Sequence, residues 1–249
     1  MKIVGIGVCG PNEKYLERTL KEFKRLCDEV IIATNNADQD TIALIQRYGF
    51  HHYEDNREWG IYQPNIKTSL LEACRALQPD WIIALDMDEV FAPEFTREEA
   101  ERLTQTNEIA YYFMIVNLYN DEEHFAHSKG IQRFWNIRFY KYMPEYGLQF
   151  QRKSLHCGLG PPITYKYGWH APFYVLHYGL MLPEDRERKQ QRYLKYDPTR
   201  KFKAGAYYDE LGQELPMRKF DPQGLLNKLR DSVECKPRKT PKLQSSESL

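Results

Sequence analysis

A chain of 249 residues with 35 basic and 35 acidic side chains carries no net charge, so no global field draws it to nucleic acid or to a membrane. Its five cysteines (Cys9, Cys27, Cys74, Cys157, Cys235) are scattered and form no C-x-x-C pair, which speaks against a zinc module or disulfide scaffold and for a reducing compartment. No apolar run approaches membrane length and no cleavable leader pattern is present, so a cytoplasmic location is expected.

Residues 2–9, KIVGIGVC, read as a strand buried on both faces, which Gly10-Pro11-Asn12 breaks. Tyr15, Leu16, Leu20, Phe23 and Leu26 then share one helical face. Residues 29–33 give a second strand, followed by the polar turn Asn35-Asn36-Ala37-Asp38, where Asp38 or Asp40 can cap the next helix. That helix carries Ile42, Leu44 and Ile45, and Gly49 closes it. Residues 50–53 form a weaker third strand, and a polar loop follows over 56–63. Pro64 suits the first turn of a helix that buries Leu70, Leu71, Cys74 and Leu77. Residues 81–91 read as one further strand. Strands and helices in this alternation predict a parallel α/β sheet.

The second half has another texture. Thr96-Arg97-Glu98-Glu99 is a capping box that opens a short helix. Residues 109–119 read as one long strand, and residues 131–142 and 148–155 alternate as half-exposed antiparallel strands do. A Gly/Pro loop spans 158–162, and a short apolar strand over 173–177 ends in His177-Tyr178-Gly179. Pro183-Glu184-Asp185 starts a helix with its acids at the positive end of the dipole. Residues 186–203 hold eight basic and two acidic side chains, a run that a solvated face also explains. Residues 221–233 predict a last amphipathic helix, and the Lys/Pro/Ser-rich stretch from Cys235 predicts disorder.

The chemistry concentrates where Trp81-Ile82-Ile83-Ala84-Leu85 runs into Asp86-Met87-Asp88-Glu89. Ligand sites of open α/β sheets gather at the carboxyl ends of strands. Two carboxylates one residue apart repel unless a cation sits between or beside them. Hard oxygen ligands suit Mg²⁺ or Mn²⁺, and Mg²⁺ takes substrate phosphates as further ligands. The pair therefore points to a divalent-metal site for a phosphorylated substrate. The plainer reading is a turn residue or helix cap; the apolar strand in front of the pair favours the metal. A cleft is expected where the parallel half meets the aromatic-rich half.

At these residues the chain resembles family 2 glycosyltransferases of the GT-A type. Residues 12–20, NEKYLERTL, are similar to that family's first loop and helix, and residues 80–89, DWIIALDMDE, to its strand and D-x-D with a trailing Glu. Arg138-Phe139-Tyr140-Lys141, His156, His177-Tyr178-Gly179, Lys189 and Tyr193 are similar to landmarks of its acceptor half. The likeness runs over residues 1–196, with the D-x-D segment its most specific part.

The resemblance implies a mostly parallel, Rossmann-like α/β sheet flanked by helices, with a mixed antiparallel acceptor half. It implies one domain over 1–204, divided near residue 92 into a nucleotide-binding and an acceptor half, then a helical extension over 205–234 and a disordered tail over 235–249. The implied activity is sugar transfer, with inversion, from a nucleotide-diphosphate sugar of UDP, GDP or dTDP type to a glycan, lipid-linked or other hydroxyl acceptor, on a Mn²⁺ or Mg²⁺ site. By the same resemblance Asp88 is the direct metal ligand, Asp86 holds the ribose or the metal through water, and His177 completes the shell. Donor contacts are implied at Cys9, Glu13, Asn35, Asn36, Lys67, Asp86, Lys189 and Arg192, the cations because they offset diphosphate charge. Trp135, His156 and Trp169 are expected at the acceptor, where the tryptophans can stack on a sugar, although a core role is the commoner fate of Trp. A peripheral membrane contact through the basic tail is a further expectation.

Two departures stand out. The family's second strand ends with an acid that reads the nucleobase, and here the run is Thr34-Asn35-Asn36-Ala37-Asp38. Relatives carry His-Glu in the acceptor half, and here the pair is His156-Cys157. Inverting transfer needs a base for the acceptor hydroxyl, and Glu89, Asp121, Glu122 and Glu145 remain as carboxylates for it. Asp121 and Glu122, after a strand end, are preferred over the others; a charged turn before His124 is their ordinary alternative. A dehalogenase-type phosphatase, a nucleotidyltransferase and an inactive sugar-nucleotide-binding protein are the competing functions.

Overall fold

The structure, a computed structural model, describes residues 1–150, 155–201 and 205–234. The first half is the predicted alternation: β1 (Ile3–Cys9), α1 (Leu16–Leu26), β2 (Glu29–Thr34), α2 (Gln39–Arg47), β3 (His51–Glu54), α3 (Trp59–Ala73) and β4 (Trp81–Ala84). These strands pair in parallel in the order β4-β1-β2-β3. Both faces are buried, as continuous apolar runs require. Ile3, Cys9, Ile32 and Ile83 face the core under α1, while Val4, Ile6, Ile31 and Ile82 face the core under α3. Asp38 caps α2: its Oδ1 accepts the Thr41 N–H at 2.8 Å, and its Oδ2 accepts the Asn12 N–H at 2.9 Å. Backbone dihedrals break at Tyr62 inside α3, so Pro64 falls at the start of the helix proper, where a missing N–H leaves no bond unmade.

The second half follows as β5 (Glu89–Phe91), α4 (Arg97–Thr104), β6 (Ala110–Tyr119), β7 (Asp121–Ala126), β8 (Phe134–Lys141), α5 (Pro162–Tyr167), β9 (Trp169–His177), α6 (Pro183–Tyr196), α7 (Gly205–Leu211), β10 (Met217–Lys219) and α8 (Pro222–Glu234). Thr96 caps α4 by accepting the Glu99 N–H at 3.3 Å. Strand β8 lies antiparallel between β4 and β6 and joins the halves. Strand β6 also runs parallel to β9, β9 pairs antiparallel with β5, and β7 with β10 extends the sheet past β6.

Several expectations are corrected. The run 81–91 is two strands: β4 stays with β1, and the chain turns over Asp86–Asp88 so that β5 pairs with β9 instead. Residues 148–150 form no strand, and residues 151–154 lie outside the described residues. Asp121 and Glu122 open a strand, β7, rather than a turn. The segment 205–234 adds β10 to the sheet and Leu225, Leu226 and Leu229 to the main core. The expected tail from Cys235 lies outside the described residues. Among the described residues, no helix is long and apolar enough to cross a membrane.

Candidate active site

The turn that follows β4 is held from behind by a buried ion pair. Glu89 Oε2 accepts the Asp86 backbone N–H at 3.1 Å. The Arg138 guanidinium grips both Glu89 oxygens, at 2.5 and 2.6 Å, and its Nη2 lies 3.8 Å from Asp86 Oδ2. Burial works against the Arg138 charge, and Glu89 more than offsets it, so the guanidinium pKa lies above its ordinary value. Met87 points inward across β1, where a Cβ on Gly7 would lie 1.8 Å from its Cε. With Met87 turned in, both aspartates are left at the rim of a cleft.

The β5–β9 register sets Glu89 opposite His177 and so delivers His177 to Asp88. His177 Nε2 stands 3.3 Å from Asp88 Oδ2. Its Nδ1 lies 2.6 Å from Asn117 Oδ1, and the Asn117 amide is itself anchored as a donor to the Gln132 carbonyl. An Asn oxygen only accepts, so Nδ1 carries a proton, and this bond fixes the ring with Nε2 turned toward Asp88. Lys189 Nζ lies 3.3 Å from that nitrogen and 3.8 Å from Asp88 Oδ2. Burial opposes ionisation of Asp88, but His177 and Lys189 hold its carboxyl well below the usual carboxylate range. Asp88 Oδ1 is buried and has no hydrogen-bond partner. Gly179 closes the back: a Cβ there would sit 2.0 Å from Asp88 Oδ2 and 2.9 Å from His177 Nε2.

These features fit a divalent cation. A buried carboxylate oxygen lacks a partner, an imidazole nitrogen faces the same place, and a cradle stays open because residue 179 has no side chain. Among the described residues, no three His, Cys, Asp or Glu side chains surround one cation position. The protein thus offers Asp88 and His177, as suits an ion whose other ligands are water and substrate oxygens.

The surrounding cleft has a volume of about 680 Å³. It collects Glu13, Asn35, Lys67, Asp86, Asp88, His156, His177, Lys189 and Arg192, drawn from both halves of the chain. Burial, and next the charge of Asp88, push the Glu13 carboxyl up to about 7, against the pull of Arg192, Arg188 and Lys189. The Lys67 ammonium donates to the Cys157 and Gly158 carbonyls at 3.1 and 3.2 Å, so it fastens a loop to α3. The Asn35 amide holds the Asp55 carbonyl and, at 2.8 Å, that of Arg57.

Other expected residues stand elsewhere. Cys9 is fully buried at the end of β1, and the Asn36 N–H donates to the Asn56 side chain; neither residue lines the cleft. Asp121 is exposed and paired with His124, and Glu122 is exposed and binds Arg18 at 2.8 Å; both lie outside the cleft lining. Strand parity removes Trp135. Phe134, Asn136 and Arg138 share the cleft face of β8, so Trp135 points the other way and stacks on His170, with ring centroids 4.2 Å apart. Trp169 packs on the main core. Aromatic lining comes instead from Trp59, Phe134, Tyr193, Tyr196 and Tyr207. Phe134 was discoverable: in an alternating strand it shares parity with Arg138 of the resemblance motif. Trp59 sat in a stretch read as polar loop and gave no signal.

The family model described as Glycosyl transferase family 2 matches residues 6–197. Among solved structures, the crystal structure of S. aureus TarS is similar at 12% identity and a TM-score of 0.51, over 85% of this chain and 42% of that one. The S. aureus TarS 1-349 structure in complex with UDP-GlcNAc matches at 11% identity and a TM-score of 0.48, over 85% and 70% of the two chains. Such likeness shows the fold alone, and the present chain spans less than half the length of the full TarS structure. No curated protein matches.

Proposed function

The chain belongs to glycosyl transferase family 2, and from that premise we propose that it transfers a sugar, with inversion, from a nucleotide-diphosphate donor to a hydroxyl acceptor at the Asp88 cleft. The observation that carries this reading is the buried, unpartnered Asp88 Oδ1 beside the oriented Nε2 of His177. Asp88 and His177 would hold Mn²⁺ or Mg²⁺, which when bound stabilises negative charge on the leaving nucleoside diphosphate.

The chain's own residues do the rest. Lys189 and Arg192 bring two cations to the diphosphate side of the cleft. Glu13 and Asn35, on the loops after β1 and β2, lie where the nucleoside is held in an open α/β sheet. Asp86, with a side chain 48% exposed, faces the cleft and is available to the donor. Phe134, Trp59 and Tyr196 offer ring faces for a sugar acceptor, the role first expected of Trp135 and Trp169. A dehalogenase-type phosphatase would need its aspartate pair on an opening strand, and here three β-α units precede it.

The test is a thermal-shift screen of UDP, GDP, CDP and dTDP, with and without Mn²⁺. A ligand that binds only the folded protein stabilises it by about 2.7 kcal/mol at a hundredfold excess over Kd. A Mn²⁺-dependent shift with one nucleotide, lost in Asp88→Ala, is the expected result. An equal shift in Asp88→Ala, or none with any nucleotide, would end the proposal.

A further inference from the structure

We propose that Lys189 is a resident counter-ion of the metal site, so that a divalent cation enters only together with the nucleotide diphosphate that draws the lysine away. The inference rests on the metal-dependent transfer proposed above and adds to it an order of loading.

The ammonium stands close to where the ion has to bind. Lys189 Nζ lies 3.3 Å from His177 Nε2 and 3.8 Å from Asp88 Oδ2, and those two atoms lie 3.3 Å from each other. All three line one hole. A Cβ on Gly179 would meet Asp88 Oδ2 at 2.0 Å, Lys189 Nζ at 2.7 Å and His177 Nε2 at 2.9 Å. Ligand bonds to such ions are about 2.1 Å long, so an ion held by Asp88 and His177 is a near neighbour of the ammonium. The Lys189 side chain is 11% exposed and that of Asp88 17%. Two positive charges at that range, so little screened by water, repel strongly.

The lysine answers a need of the empty site. A buried carboxylate without a counter-charge is costly. The nearest guanidinium, Arg138, is already taken by both oxygens of Glu89. Lys189 therefore supplies the positive charge that Asp88 lacks while no metal is there. It does so incompletely, because Asp88 Oδ1 stays buried without a partner.

The lysine can also leave. Among the described residues, Asp88 and His177 are the only hydrogen-bond and ion-pair partners of its ammonium. Its stem is long and flexible, and its charge is compact. Arg192 follows one helical turn later, and both residues line the cleft. A diphosphate that lies along Arg192 thus offers Lys189 an anion within reach of its stem. Lys189 turns to it, and Asp88 and His177 are left to the divalent ion, whose shell phosphate oxygens then fill.

The two ligands must consequently help each other. Nucleotide raises the affinity for the ion by the same factor by which the ion raises the affinity for nucleotide. The share of that factor that comes from Lys189 disappears with its charge.

The experiment measures Mn²⁺ binding by calorimetry, alone and with the nucleoside diphosphate that stabilises the wild type. Wild type, Lys189→Met, Lys189→Gln and Lys195→Met are compared. Lys195 is an exposed cation of the same helix, so its variant reports the general field of the cleft. The wild type is expected to bind Mn²⁺ weakly alone and more tightly with nucleotide. Lys189→Met and Lys189→Gln are expected to bind Mn²⁺ alone about 5–150-fold more tightly than the wild type, an advantage that shrinks when nucleotide is present. Lys195→Met is expected to stay within about twofold of the wild type, because exposed charges are screened. A lysine that served only the fold would give no gain of affinity on removal. Mn²⁺ affinity in the Lys189 variants equal to or below that of the wild type would overturn the proposal. So would an equal gain in Lys195→Met, or a wild type whose Mn²⁺ affinity nucleotide leaves unchanged. Any of these in a wild type that binds nucleotide overturns the lysine's role alone; a wild type that binds no nucleotide overturns the transferase reading with it.

Discussion

The two halves of the sheet reach one cleft by opposite routes. In the parallel half β1, β2 and β3 are each followed by a covering helix, and the loops after β1, β2 and β4 arrive at the same edge by local rules. In the other half nothing local suffices. His177 reaches Asp88 through the β5–β9 register, Arg138 reaches Glu89 across 49 residues, and His156 is fixed by residues of α3 and α7. The first half supplies a frame and a pair of aspartates; the second gives those aspartates something to do.

The sharpest way to break the comparison is at the seam. Arg138→Met leaves the buried Glu89 charge without its partner and is expected to cost about 3–5 kcal/mol, measured by urea unfolding. If the halves were independent, only the second would loosen; the shared pair predicts one cooperative loss. A pH series comes next. The Glu13 pKa of about 7 exceeds its ordinary 4.5, so the unfolded chain loses this proton first as pH rises. Glu13 therefore contributes stability that is complete below about 4.5, falls as pH rises to 7 and is gone above it, on the order of 3 kcal/mol. Glu13→Gln is expected to flatten that slope in the metal-free protein. Asp88, held low, works with the opposite sign and loses its contribution in acid.

Smaller effects sharpen the contrast. Asn117→Ala releases the His177 ring and is expected to weaken Mn²⁺ binding by about 10–100-fold, read by calorimetry, with little change in melting temperature. Thr96→Ala removes a local cap and is expected to cost about 1 kcal/mol without touching Mn²⁺ affinity.

The same contrast explains what the sequence disclosed. Asp86 and Asp88 were legible because an apolar strand and two acids are neighbours in the chain. The capping roles of Asp38 and Thr96 were legible for the same reason. Trp135 was misplaced because a one-residue change of parity moves a side chain to the other face of a strand. The Glu89–Arg138 pair was hidden because a buried ion pair leaves no spacing in the sequence.

Strand β8 has a mechanical consequence. It is hydrogen-bonded to β4 along one edge and to β6 along the other, so floor and wall of the cleft are one continuous fabric. Swinging one half away from the other would tear a ladder of backbone bonds. What remains free to move at the rim is the exposed long side chains of α6, Arg188, Arg192 and Lys195, which change rotamer quickly while the sheet stays still.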